Sequence, residues 1–233
     1  MYFFKKLWRK RFLILSLPVT IWFNFKYFPI KDAVRLPVFL CRPVILGKGK
    51  YILPEKIYTG MIRLGFPMVS IYREKGVVLE NNGVVIFKGS TKMGGGSAIS
   101  VGQKGVLTFG DKFSNQAGGK IICYHKVYFG RKVRLGWHSL VCDTDFHTMK
   151  SEDGSNYTKG FGKIEIGDDV WVGSFCKFFK NSYIPSMCTV ASNTCVSKAI
   201  ECSPYSLIYP GGGIKVKYTG YHRDIDDDII NYE

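Results

Sequence analysis

Within the run Cys142-Asp143-Thr144-Asp145-Phe146-His147, two carboxylates stand close to one imidazole. A histidine that titrates near neutrality can take a proton from a hydroxyl. A nearby carboxylate can fix its tautomer and stabilise the imidazolium that forms. That pairing is a base with its orienter, and it needs no nucleophile from the protein. Either Asp143 or Asp145 could be that carboxylate. Gly136-Trp137-His138 stands just upstream. Aspartate and histidine are also ordinary residues of a solvated loop, so the run gains meaning only from the scaffold that holds it.

That scaffold is visible as a repeat. From Ile166 an apolar residue returns every six positions: Ile166, Val172, Phe178, Ile184, Val190 and Val196. Directly after them come Gly167, Gly173, Phe179, Pro185, Ala191 and Ser197, mostly small. Four positions after each stand Val170, Cys176, Ser182, Cys188, Thr194 and Ile200, mostly small or β-branched. A period of six suits neither a simple strand nor a helix. It suits short strands separated by corners, with the apolar residue and its small partner pointing inward, so that three sides close one coil. Stacked coils then bury a continuous core and need capping at both ends. Upstream the register is looser, at Phe129-Gly130, Leu135-Gly136 and Val141-Cys142, and earlier at Val101-Gly102 and Phe109-Gly110.

Between Val141 and Ile166 the six-residue spacing is suspended, so a segment is looped out there; such loops on rigid scaffolds tend to carry function. The chain is expected to divide into three parts. Residues 1–65 form a basic, aromatic N-terminal segment. Residues 66–202 form an all-β solenoid with an inserted loop, 142–165. Residues 203–233 form a C-terminal extension with an acidic tail.

Charge narrows the partners. Lys and Arg total 33 against 18 Asp and Glu, a net charge of +15. The excess favours an anionic partner such as acidic lipid or a phosphorylated cofactor. Nucleic acid is not expected, because no recognition-helix, zinc-finger or RNA-sheet signature accompanies the charge. Seven cysteines without a CxxC pair argue against a disulfide framework or zinc ribbon and favour a reducing cytosol. Cys176 and Cys188 fall in the inward column and read as core filler. At the N-terminus, Lys5, Lys6, Arg9, Lys10 and Arg11 precede the apolar stretch 12–25. Pro18 and Asn24 interrupt that stretch, no small-residue cleavage site follows, and it is short of the roughly 20 residues a spanning helix needs. It suits either a helical layer packed on the main domain or a segment lying on an anionic membrane surface, peripheral at its inner face.

Three segments together resemble the bacterial capsule and O-antigen glycan O-acetyltransferases of the hexapeptide-repeat superfamily. They are Asp143-Thr-Asp-Phe-His147, Ile164-Glu-Ile-Gly-Asp-Asp-Val-Trp-Val-Gly173 and Val190-Ala-Ser-Asn-Thr-Cys-Val-Ser197. The early Trp22-Phe-Asn-Phe-Lys-Tyr-Phe28 with Leu36-Pro37 resembles the lead-in of those enzymes. The resemblance implies a left-handed parallel β-helix, acetyl-CoA as donor, a homotrimer, active sites between subunits, and no metal. It makes His147 the catalytic base toward a sugar hydroxyl. Asn115, Trp137 and His138 become candidate acceptor contacts. Trp171, Gly173, Ala191 and Ser192 become the expected lining for the pantetheine arm, with Lys198 and Lys215 the candidates for the CoA phosphates. Two departures stand out. Gly211-Gly-Gly-Ile-Lys215 lacks the proline of the family's Gly-x-Pro-Ala-Lys turn, and Thr148 stands where a proline often follows the histidine.

A β-helix does not fix its function. A γ-class carbonic anhydrase would need three zinc-binding histidines, and the spacings of His125, His138 and His147 do not match its close pair. A non-catalytic scaffold or membrane-surface binding protein is the other alternative.

Overall fold

The computed structural model describes residues 14–72, 76–211 and 221–223. The apolar column read from the sequence lies inside: Ile166, Val172, Phe178, Ile184, Val190 and Val196 are all buried. So are their partners Val170, Cys176, Ser182, Cys188 and Thr194; Ile200, at the end of the series, is half-buried.

The chain winds in coils of three short strands. The first coil is β1 (Val38–Leu40), β2 (Pro43–Leu46) and β3 (Lys50–Ile52). The second is β4 (Ile62–Phe66), β5 (Val77–Asn81) and β6 (Val84–Phe87), and the third β7 (Thr91–Gly94), β8 (Ser97–Val101) and β9 (Val106–Phe109). Next come β10 (Phe113–Asn115), β11 (Lys120–Cys123) and β12 (Lys126–Phe129). The fifth coil holds β13 (Arg134–Leu135) and β14 (Leu140–Cys142). It leaves the prism for a loop containing β15 (Met149–Ser151) and returns at β16 (Ile164–Ile166). β17 (Trp171–Val172), β18 (Lys177–Phe179) and β19 (Tyr183–Ile184) make the sixth coil. After it come β20 (Thr189–Val190), β21 (Cys195–Val196), β22 (Leu207–Ile208) and the separate β23 (Tyr221–Arg223).

Every third strand pairs in parallel, giving stacked sheets of eight, seven and six strands that form the three faces of a left-handed parallel β-helix. The first face begins at β1, the second at β2 and the third at β3. The edge between first and second faces is called here the 1–2 corner, and the others follow.

Two devices make the corners. One residue per turn takes a left-handed backbone, as at Asp169, Phe175, Asn181, Met187 and Asn193. Glycines stand where the next coil crowds in: a Cβ at Gly173 would lie 2.6 Å from the Ser192 amide nitrogen, and one at Gly167 2.7 Å from that of Ser186. Inside, Phe87, Phe109 and Phe129 stack in register with centroids 5.5 and 5.6 Å apart, and the column continues as Ile166 and Ile184.

The solenoid starts earlier than the expected residue 66. β1 to β3 already belong to its faces, and β22 extends the first face past the expected end at 202. The reason is a polar cap. Helix α1 (Leu17–Tyr27) turns Thr20 and Asn24 toward β1, the edge strand of its sheet. Asn24 Nδ2 donates to Val38 O at 2.7 Å, Asn24 Oδ1 accepts from Val38 N, and Thr20 Oγ1 accepts from Leu40 N at 3.1 Å. Edge groups that no earlier strand could pair are thereby satisfied. Phe23, Tyr27 and Tyr51 plug the end of the core, and α2 (Ile30–Ala33) leads into β1. Among the described residues no helix is long and apolar enough to cross a membrane.

Candidate functional site

The loop 143–163 leaves the prism at the 2–3 corner and is anchored by its first residue. Asp143 is fully buried; its Oδ1 accepts from Tyr124 N at 2.7 Å and its Oδ2 from His125 N at 2.8 Å. Burial pushes its carboxyl above the usual aspartate range, and donation from those amides and that of Lys126 pulls it back down. Asp143 therefore ties the loop to the preceding coil, each of its oxygens accepting from a backbone amide.

The rest of the loop is a small antiparallel fold. Asp145 N donates to Gly160 O at 2.7 Å, and Phe146 N donates to Thr144 Oγ1 at 3.0 Å. Phe146 takes a left-handed backbone (φ 61°) and sets its ring edge-on to Tyr124. β15 pairs antiparallel with β23, so the C-terminal chain returns to brace the loop, with His222 opposite Lys150 in register. His147 is half-buried, with Nδ1 turned into the protein. The Asp145 carboxylate is more open and is ion-paired with Lys180, whose Nζ also donates to Lys159 O at 3.0 Å.

Trp137 and His138 lie at the 1–2 corner instead, across the three-residue strand β14, which spans about 10 Å at the usual rise per residue. His138 adopts a left-handed backbone (φ 53°) and stacks on Phe175 of the next coil, centroids 5.5 Å apart and rings 11° from parallel. Tyr72 packs against both His138 (4.9 Å) and Trp137 (5.2 Å). Trp137 Nε1 is buried without a hydrogen-bond partner among the described residues. Gly173, Ala191 and Ser192 continue down the same corner, Ser192 Oγ accepting from Ser174 N at 3.1 Å.

Asn115 does not reach a surface site. It is fully buried inside the coil, donating from Nδ2 to Ser97 Oγ at 3.1 Å. Its register partner Leu135 is an inward position, so Asn115 is core. Trp171 is 61% exposed on the first face, beside Arg134 in register. With Lys132, Arg134, Asp169 and Val170 it borders a cleft of about 560 Å³. Lys198 is exposed just past β21, at the 2–3 corner; Lys215 lies outside the described residues.

The candidates thus fall into two groups on two edges of one face. His147, Asp145 and Lys198 stand on the 2–3 edge, and Trp137, His138, Gly173, Ala191 and Ser192 on the 1–2 edge. Sequence reasoning missed Lys180, Phe175, Tyr72 and Arg134. Lys180 was recoverable: Cys142 and Phe179 are register partners, so the next residue on each chain must share the corner.

No protein-family model matches the chain, and no curated protein matches it. Among solved structures it is similar to one described as the polySia specific acetyltransferase NeuO. The identity is 12%, the match covers 72% of this chain and 80% of that one, and the TM-score is 0.35.

Proposed function

We propose that the chain is an O-acetyltransferase that moves an acetyl group from acetyl-CoA to a sugar hydroxyl of a bacterial surface polysaccharide or its precursor, in the cytosol. The assignment of donor and acceptor follows the resemblance of the loop and hexad segments. The observation that supports a site at this place is the position of His147: half-buried on a braced loop, Nδ1 inward, on a scaffold too rigid to wander.

With Nδ1 turned into the protein, Nε2 is the atom assigned to proton transfer. It takes the proton of the acceptor hydroxyl as the oxygen attacks the thioester carbonyl. The tetrahedral intermediate collapses with cleavage of the carbon–sulfur bond, and the imidazolium returns the proton to the departing thiolate. Asp145 holds the imidazolium electrostatically, and Lys180 holds Asp145. The donor lies along Trp171, Gly173, Ala191 and Ser192, with Arg134 and Lys132 offering positive charge to its phosphates. Lys198 reaches the same donor from the other edge, and Trp137 and His138 form the acceptor platform.

These groups stand on opposite edges of the second face, so a single site requires two chains. The outer column of that face reads Val44, Val78, Ala98, Lys120, Leu140, Lys177 and Cys195, so a contact between copies would bury its apolar members and leave Lys120 and Lys177 to find partners or solvent. Three prisms with this face toward a three-fold axis bring each 2–3 edge against a neighbour's 1–2 edge. Co-expression of His147→Ala chains with His138→Ala chains tests the arrangement. Mixed assemblies should recover up to about a quarter of wild-type turnover, since random assembly gives that share of sites two intact edges. No recovery above the two parents would place the site within one chain.

A further inference from the structure

Helix α1 is amphipathic in the inverted sense. Its polar residues Thr20 and Asn24 face the protein and are consumed by the edge of β1, while Ile21, Trp22 and Phe25 face outward. Ile14, Leu15, Ile30 and Val34 extend this exposed apolar surface, Ile30 being 74% exposed. Apolar side chains left exposed in such number on neighbouring helices of a folded protein mark an interaction site.

Its charges identify the partner. Lys26, Lys31 and Arg35 are exposed among these residues, Lys26 Nζ lying 4.6 Å from the Trp22 ring centre. In the sequence Lys5, Lys6, Arg9, Lys10 and Arg11 come immediately before, and the only acid in the first fifty residues is Asp32. Tryptophan and phenylalanine beside lysine and arginine, on a helix too short to span, is the composition of a segment that lies in the headgroup plane of an anionic bilayer. A second copy of this chain would instead oppose like charges across the contact.

We infer that the outward face of α1, with Ile30, Lys31, Val34 and Arg35, docks on an anionic membrane surface. It holds the solenoid with its N-terminal end toward the lipid. This inference stands independently of the acetyl-transfer reading. In the trimer proposed above, the three coil axes are parallel, so three such faces point the same way and bind together.

The full chain would be floated with vesicles of phosphatidylglycerol and phosphatidylcholine in equal parts, and with phosphatidylcholine alone. Two variants keep the inward Thr20 and Asn24: Ile21→Ser/Trp22→Ser/Phe25→Ser and Lys26→Glu/Lys31→Glu/Arg35→Glu. The wild type should partition to the anionic vesicles at least about ten-fold more strongly than to the neutral ones, with the preference shrinking between about 0.1 M and about 1 M salt. Each variant should lose about ten-fold or more in binding while its thermal midpoint stays that of the wild type. Equal binding to both vesicle types, wild-type binding by both variants, or a smaller oligomer in the serine variant overturns the inference. Because the readout is lipid binding, its failure leaves the enzyme reading untouched.

Discussion

Asp145 and Lys180 form an ion pair across the 2–3 corner, one coil apart, where the loop bearing His147 leaves the solenoid. The pair is partly open to solvent, and exposed pairs contribute about 1 kcal/mol or less to stability. Lys180→Met should therefore barely move the thermal midpoint. If Asp145 supports His147, turnover should nevertheless fall about 10- to 100-fold, the scale of a small misplacement of a reacting group. Unchanged turnover would show that Asp145 does not depend on Lys180.

Asp143 should behave oppositely. Asp143→Ala strands the amides of Tyr124 and His125 without their acceptor, at a cost of about 2–4 kcal/mol. Chemical denaturation should register that loss whether or not activity is measured.

The same carboxyl carries a pH signature. Folding raises its pKa above the free value of 3.8, so the folded chain holds this proton more tightly than the unfolded one. The stability so contributed is complete below that value and is lost as pH rises through the folded pKa. Asp143→Asn cannot titrate. The thermal midpoint of the wild type relative to that variant should therefore decline as pH is raised from below 3.8 toward neutrality, and a constant or rising difference would contradict the burial argument.

At the other edge, Phe175→Ala removes the ring on which His138 lies. If that corner receives the acceptor, its KM should rise about 2- to 10-fold with kcat little changed, the equivalent of about 0.5–1.5 kcal/mol of ring stacking. Steady-state kinetics with saturating acetyl-CoA would separate the two constants.

The sequence was most legible where the coil is most regular. From Ile166 to Val196 each corner is short and each inward residue returns after six positions, so the buried column could be read directly. The first coils have strands of up to five residues and an excursion between β4 and β5, which breaks the period although the same faces are built. The cap was hidden for a different reason: Thr20 and Asn24 bond across to β1, and no local pattern reports a contact of that range. Asn115 misled because a polar residue in an inward position looks, in isolation, like a surface one; counting one coil up from Leu135 would have placed it in the core. The roles of Asp143 and Asp145 could not be separated by spacing, since it is the neighbouring coils that engage one with backbone amides and the other with Lys180.

The most direct test of the central claim is release of free thiol from acetyl-CoA by the purified protein, wild type beside His147→Ala, with acetyl-CoA binding measured on both by calorimetry. Both proteins should bind with similar affinity, and the variant should release thiol about 10²–10⁴-fold more slowly, the usual contribution of a positioned base. Equal thiol release by the two, or a wild type that does not bind acetyl-CoA, would contradict the account.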